Sequence, residues 1–86
     1  MPKFEITFSP QAKKAYGEIR DKKLLRGINR TLEQISENPY LFPKLWGPFE
    51  GFRKAKTFSY RIVYRILEKE IQVFVFAIGA RKDIYR

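Results

Sequence analysis

The chain has 86 residues, of which 44% are hydrophobic and 16% aromatic, and its 18 basic and nine acidic groups leave a net charge of +9. This is the size and composition of a single folded domain, residues 1–86, with enough apolar material for one modest core. Cysteine and histidine are absent, which excludes a disulfide framework, a Cys-type zinc or iron–sulfur centre, any His-based metal site, and Ser-His-Asp or Cys-His catalysis.

Residues 3–8, Lys-Phe-Glu-Ile-Thr-Phe, alternate with Phe4, Ile6 and Phe8 on one side, the period of a half-buried strand. Ser9-Pro10 supplies a helix N-cap and a first-turn proline. Ala12, Ala15, Tyr16 and Ile19 recur at helical spacing, and a second apolar series runs Leu25, Ile28, Leu32, Ile35. The phase break near Arg20-Asp21 predicts two helices in a hairpin with Asp21 as second cap, one bent helix being the alternative. Asn38-Pro39 ends the helical stretch, because the residue before proline avoids the helical region. Residues 39–51 hold three of the five prolines and two of the five glycines, and read as a connector. Its Phe42, Trp46 and Phe49 predict that it packs on the body, with Trp46 as an anchor. Three strands follow: Phe52–Phe58, Tyr60–Leu67 and Ile71–Ile78. Glu68-Lys69-Glu70 is the turn between the last two, and Gly79 ends the final strand. The last two runs are apolar on both faces, as for strands covered on each side. The expected fold class is α+β, a small antiparallel sheet of about four strands with an N-terminal helix hairpin on one side, in the order β-α-α-β-β-β.

Two thirds of the excess charge lies in residues 51–86, with nine basic and three acidic groups. A field of this sign attracts polyanions. No apolar stretch is long enough to cross a membrane and no signal segment is read. A membrane partner ranks last, and the expected compartment is the cytoplasm. Arg53, Lys54, Lys56, Arg61, Arg65, Arg81 and Lys82 all fall in the meander and its tail. Alternation puts Lys54 and Lys56 on one face and Arg53 on the other. Cations hold phosphates and the ring of Tyr85 offers a base a stacking surface, which suits single-stranded RNA. Taken singly, strand lysines protect edges, Arg65 can pair with Glu68 or Glu70, and Tyr60 and Tyr64 belong to the core. The carboxylates form no paired arrangement, so neither a metal nor a cofactor is expected.

Lys44-Leu45-Trp46-Gly47, Phe52-Arg53-Lys54-Ala55-Lys56, Tyr60-Arg61-Ile62-Val63-Tyr64-Arg65-Ile66 and the ending Gly79-Ala80-Arg81-Lys82-Asp83-Ile84-Tyr85 resemble the RelE/ParE superfamily of bacterial and archaeal toxins. The likeness is closest to the RelE branch and spans nearly the whole chain. It implies a RelE-like fold and the toxin of a type II toxin–antitoxin system: a ribosome-dependent, metal-independent mRNA endonuclease that inhibits translation. In that reaction the ribose 2′-hydroxyl attacks the adjacent phosphate.

The resemblance casts Lys54, Lys56, Arg61, Arg81 and Tyr85 as catalytic. Arg61 and Arg81 clamp phosphate, Lys54 or Lys56 acts as base, and Tyr85 stacks on or orients the nucleotide. Arg53, Arg65 and Lys82 are RNA-binding candidates, and Arg53 is also the reserve choice for the catalytic set. The implied partners are the ribosome with its mRNA and a separate RelB-like antitoxin, acidic or amphipathic. Two departures stand out. Phe58-Ser59 replaces a common Gly-Asp, and Ala80 replaces the histidine of a common Gly-His-Arg, which weakens the site if that histidine assists catalysis. The alternatives are a ParE-like toxin that binds DNA gyrase without cutting RNA, and a weakened RelE-like RNA-binding protein.

Overall fold

Residues 3–80 are described by a computed structural model of the chain. The elements in order are β1 (Glu5–Phe8), α1 (Pro10–Gly17), α2 (Lys22–Glu37), a 3₁₀ turn (Gly47–Phe49), β2 (Arg53–Thr57), β3 (Tyr60–Leu67) and β4 (Gln72–Ala80). The strands form one sheet in the order β1-β4-β3-β2.

Both predicted helix caps form. The Ser9 side chain accepts from the Ala12 N–H at 3.0 Å and donates to the Phe76 carbonyl at 2.6 Å, so one hydroxyl starts α1 and ties it to β4. Asp21 Oδ1 accepts from the N–H groups of Lys23 and Leu24 and opens α2. These bonds satisfy amides that have no partner inside the helix. Ile28, Leu32 and Ile35 lie on one stripe of α2, and with Ala12 they meet Ala55, Ile62, Tyr64, Val73, Val75 and Ile78 of the sheet. Ile28, Ile35 and Ile62 are wholly buried, each worth about 1.5–3 kcal/mol of transfer free energy. Tyr16 donates to Asn29 Oδ1 at 2.6 Å and joins the two helices.

The sheet is mixed, not wholly antiparallel. Two tight turns force β2, β3 and β4 to alternate in direction, but β1 runs parallel to β4. Between them lie the helices and the other two strands, and so long a connection leaves strand direction unconstrained by any turn. Gly79 does not end β4. It pairs with Arg61 and the strand runs on to Ala80. Among the described residues the helices cover only one face of the sheet.

The turn into β4 carries a strained residue. Ile71 has φ +52° and is 44% exposed. For a β-branched side chain this left-handed conformation costs about 1–2 kcal/mol. Ile71→Gly should therefore raise the unfolding free energy by about 0.5–1 kcal/mol after the entropy of an added glycine is subtracted. Urea denaturation measures this, and a lower midpoint at unchanged slope would refute the strain.

Candidate nucleic-acid interface

The side chains that face the helices on β2, β3 and β4 leave the alternate positions on the opposite, open face. On β3 the core-facing set is Tyr60, Ile62, Tyr64 and Ile66, so Arg61, Val63, Arg65 and Leu67 point outward. On β2 the core-facing residue is Ala55, and Lys54 and Lys56 share the outer face. The register sets Lys56 directly opposite Arg61 and Lys54 opposite Val63. On its other side Arg61 has Gly79. Three predicted catalytic cations thus meet on two neighbouring strands, with Gly79 across the other ladder from Arg61.

A register shift between Val63 and Tyr64 leaves Phe76 as the extra residue of β4, the arrangement of a β-bulge. The Phe76 ring lies 5.4 Å from that of Phe52. The Arg65 guanidinium lies over the Phe52 ring at 5.9 Å, and this is where Arg65 goes, instead of the expected pairing with Glu68 or Glu70. Val63 is fully buried although no helix covers it; Lys54 and Ala77 flank it. The outer face therefore carries Lys54, Lys56, Arg61 and Arg65 on an aromatic floor. Glu5 stands at the far edge on β1 and accepts from Gln72 Nε2 at 2.9 Å. Such a face can hold phosphate and offer rings to bases.

Arg53 is separated from the lysines. Its guanidinium donates to the carbonyls of Phe42 at 2.8 Å and Tyr40 at 3.3 Å and lies 5.6 Å from the Tyr40 ring. It clamps the connector, whose Lys44 forms a bridge with Arg53 and whose Leu45 N–H donates to Phe52. Beside this clamp, partial burial and the Glu68 carboxylate push the Tyr40 phenol above its ordinary value. Arg81, Lys82 and Tyr85 lie outside the described residues. Ala80 pairs with Tyr60 and by alternation shares the helix-facing side with Ile78, so a residue at 80 stands across the sheet from Arg61.

Two readings of the connector and turns change. Trp46 is 78% exposed and anchors nothing. Phe58, expected as the last residue of the strand Phe52–Phe58, instead lies in the turn after β2, 62% exposed at φ +55°. A hydrophobic ring kept outside at an unfavourable φ is a signal visible only in three dimensions.

The family model described as the ParE toxin of a type II toxin–antitoxin system matches residues 6–85. The RelE4 protein of Methanocaldococcus jannaschii is 27% identical, over 96% of this chain and 92% of its own length. The isolated RelE toxin of E. coli superposes with a TM-score of 0.79 at 25% identity, covering 95% of this chain and 90% of that one. The RelBE2 toxin–antitoxin complex of Mycobacterium tuberculosis contains a chain with the same fold, at TM-score 0.79, 19% identity and coverage of 92% and 99%.

Proposed function

Because the chain belongs to the ParE toxin family, and so is a type II toxin of the RelE/ParE superfamily, we propose that its open sheet face is a metal-independent endoribonuclease site for mRNA held in the decoding site of the ribosome. The observation that carries this reading is the placement of Lys56 directly across from Arg61, with Lys54 two residues away on the same face. Like charges directly opposite on neighbouring strands destabilise a sheet. A phosphate seated between the two side chains relieves that repulsion.

The chemistry suits such a face. A base takes the proton of a ribose 2′-hydroxyl, the 2′-oxygen attacks the adjacent phosphorus, and the bond from phosphorus to the 5′-oxygen breaks. An acid returns a proton to that oxygen. The products are a 2′,3′-cyclic phosphate and a 5′-hydroxyl, and no water is consumed. Arg61 is assigned to the extra negative charge of the phosphorane, since a guanidinium stays protonated and presents a planar fork. Lys54 or Lys56 is assigned the role of base. By resemblance Arg81 joins Arg61 on phosphate, Tyr85 orients the nucleotide, and Lys82 and Arg65 contact neighbouring phosphates; Arg53 is given to the connector. The partners in this reading are the ribosome with its mRNA and a separate RelB-like antitoxin whose acidic or amphipathic segment covers the cationic face. The whole chain acts as one domain, in the cytoplasm; among the described residues no helix is long and apolar enough to cross a membrane.

Position 80 tests the placement of the site on the open face. Since Ala80 lies on the side of the sheet away from Arg61, Ala80→His should leave the cleavage rate within about threefold of the parent. A gain of a hundredfold would instead place position 80 in the reacting site.

The direct test of the chemistry is the product ends. Cleavage of ribosome-bound mRNA in EDTA-treated buffer, with magnesium restored only to the level the ribosome needs, should yield fragments that resist 5′-phosphate-dependent exonuclease and carry cyclic phosphate. Fragments with 5′-phosphates would contradict 2′-hydroxyl attack. A second reading, a gyrase-binding toxin without nuclease activity, is favoured by the ParE description of the matching family model. It predicts inhibited supercoiling and intact mRNA.

A further inference from the structure

A second cationic surface lies across the molecule from the sheet face. Lys23, Arg26 and Arg30 follow one another on α2 at intervals of three and four residues, which keeps them within about 60° of arc and about 4.5 and 6 Å apart along the axis. With Gly27, Asn29 and Phe58 they line a cleft of about 500 Å³ that no acidic residue borders. Asp21, in the adjoining pocket, is committed to the helix cap. Among the described residues neither Arg26 nor Arg30 is held by a carboxylate.

Phe58 is the unusual member. It sits in the two-residue turn between β2 and β3, at φ +55°, where glycine or asparagine is favoured. Its ring approaches α2 so closely that a Cβ on Gly27 would stand 2.7 Å from Cε2, and the Lys23 ammonium lies 5.8 Å from the ring centre. The ring is thus supported against the helix yet 62% exposed to solvent. Conformation and exposure both count against this residue in the folded protein.

We infer that Phe58 with Lys23, Arg26 and Arg30 forms a second RNA contact, in which an unpaired base of ribosomal RNA stacks on the Phe58 ring and its neighbouring phosphates meet the three cations. A polyanion answers the charge row, and only a nucleic acid adds a planar ring to it at each step. The surface lies on the helix side, so RNA bound here leaves the sheet face free for mRNA. The inference rests on the proposed function only for the identity of the ligand as ribosomal RNA, not for cleavage.

The experiment measures binding of the full chain to ribosomes programmed with an mRNA made uncleavable by 2′-deoxy substitution. The variants are Phe58→Gly and the triple Lys23→Glu, Arg26→Glu, Arg30→Glu. The triple variant should bind at least tenfold more weakly and flatten the salt dependence by about two, at about 0.7 per lost phosphate contact. Phe58→Gly should bind about fivefold or more weakly while unfolding at a higher denaturant concentration, because the strained turn is relaxed. Phe58→Tyr should restore binding. A merely structural Phe58 would weaken binding only by lowering stability. Unchanged binding by both variants overturns the inference, as does no binding by the parent chain. So does unchanged ribosome binding with lost affinity for poly-glutamate, which makes the surface a protein interface. Cleavage of ordinary mRNA is scored separately. Parent binding without cleavage leaves the second contact standing and removes the nuclease. Cleavage with the same half-saturation in all variants does the reverse.

Discussion

Replacing Arg61 with alanine should lower the single-turnover rate of mRNA cleavage by about 10²–10³, with little change in the concentration at which the ribosomal complex is half saturated. The size follows from the general effect of removing one preorganised donor from a developing oxyanion. The split follows from charge. The scissile phosphate carries one negative charge in the ground state and gains another in the phosphorane, so a guanidinium placed there acts mainly on the barrier. Arg61 is suited to this by its surroundings. It stands on the central strand β3, hydrogen-bonded on both sides, with Lys56 across one ladder and Gly79 across the other. The melting temperature of the variant is read beside its cleavage rate. A fall in activity that tracks a fall in melting temperature would mean that Arg61 serves the fold.

Tyr64 should dominate the alkaline stability of the protein. Its side chain is fully buried and donates to the Pro39 carbonyl at 2.7 Å. Burial pushes the phenol up to about 12 from 10.0. Below pH 10 the phenol is protonated in both the folded and unfolded states, and the bond to Pro39 is intact. Between pH 10 and 12 the unfolded chain loses a proton that the folded chain retains. Stability therefore falls as pH rises, with a limiting slope of about 1.4 kcal/mol per pH unit and a total of about 3 kcal/mol. Tyr64→Phe leaves the Pro39 carbonyl without this donor and should cost about 1–3 kcal/mol at pH 7. It also abolishes this part of the alkaline decline. Urea denaturation of both proteins from pH 8 to 11.5 should give curves that converge. Parallel curves would mean that Tyr64 ionises equally in both states.

Local chemistry makes much of this fold legible from the residues alone. Ser9 and Asp21 are short-range caps whose partners lie two or three residues away, and both helices begin where those caps place them. The outward pairing of Lys54 and Lys56 follows from the period of a strand, and the apolar face of α2 from its 3.6-residue repeat. The features that are not legible depend on residues distant in sequence. The parallel alignment of β1 with β4 is decided across the whole chain. Arg53 reads as one more strand cation until the connector folds back and presents the carbonyls of Tyr40 and Phe42. Trp46 has the composition of an anchor, yet it stays largely exposed. Phe58 is the case of most consequence. Its aromatic ring reads as the end of a strand, whereas it occupies the turn and packs beside Gly27 on α2, a segment distant in sequence. At the candidate site the sequence places the cations on one face by alternation, and only the register shows that Arg61 stands against Lys56.

If the cationic sheet face cuts mRNA inside the ribosome, primer extension on an mRNA paused in a translating ribosome, with the protein added or withheld, will show it. New ends are expected within the codon that occupies the decoding site, appearing only when both ribosome and protein are present. Uncut mRNA under those conditions, together with inhibition of gyrase supercoiling by the same preparation, would contradict it and leave the family's other mode of action.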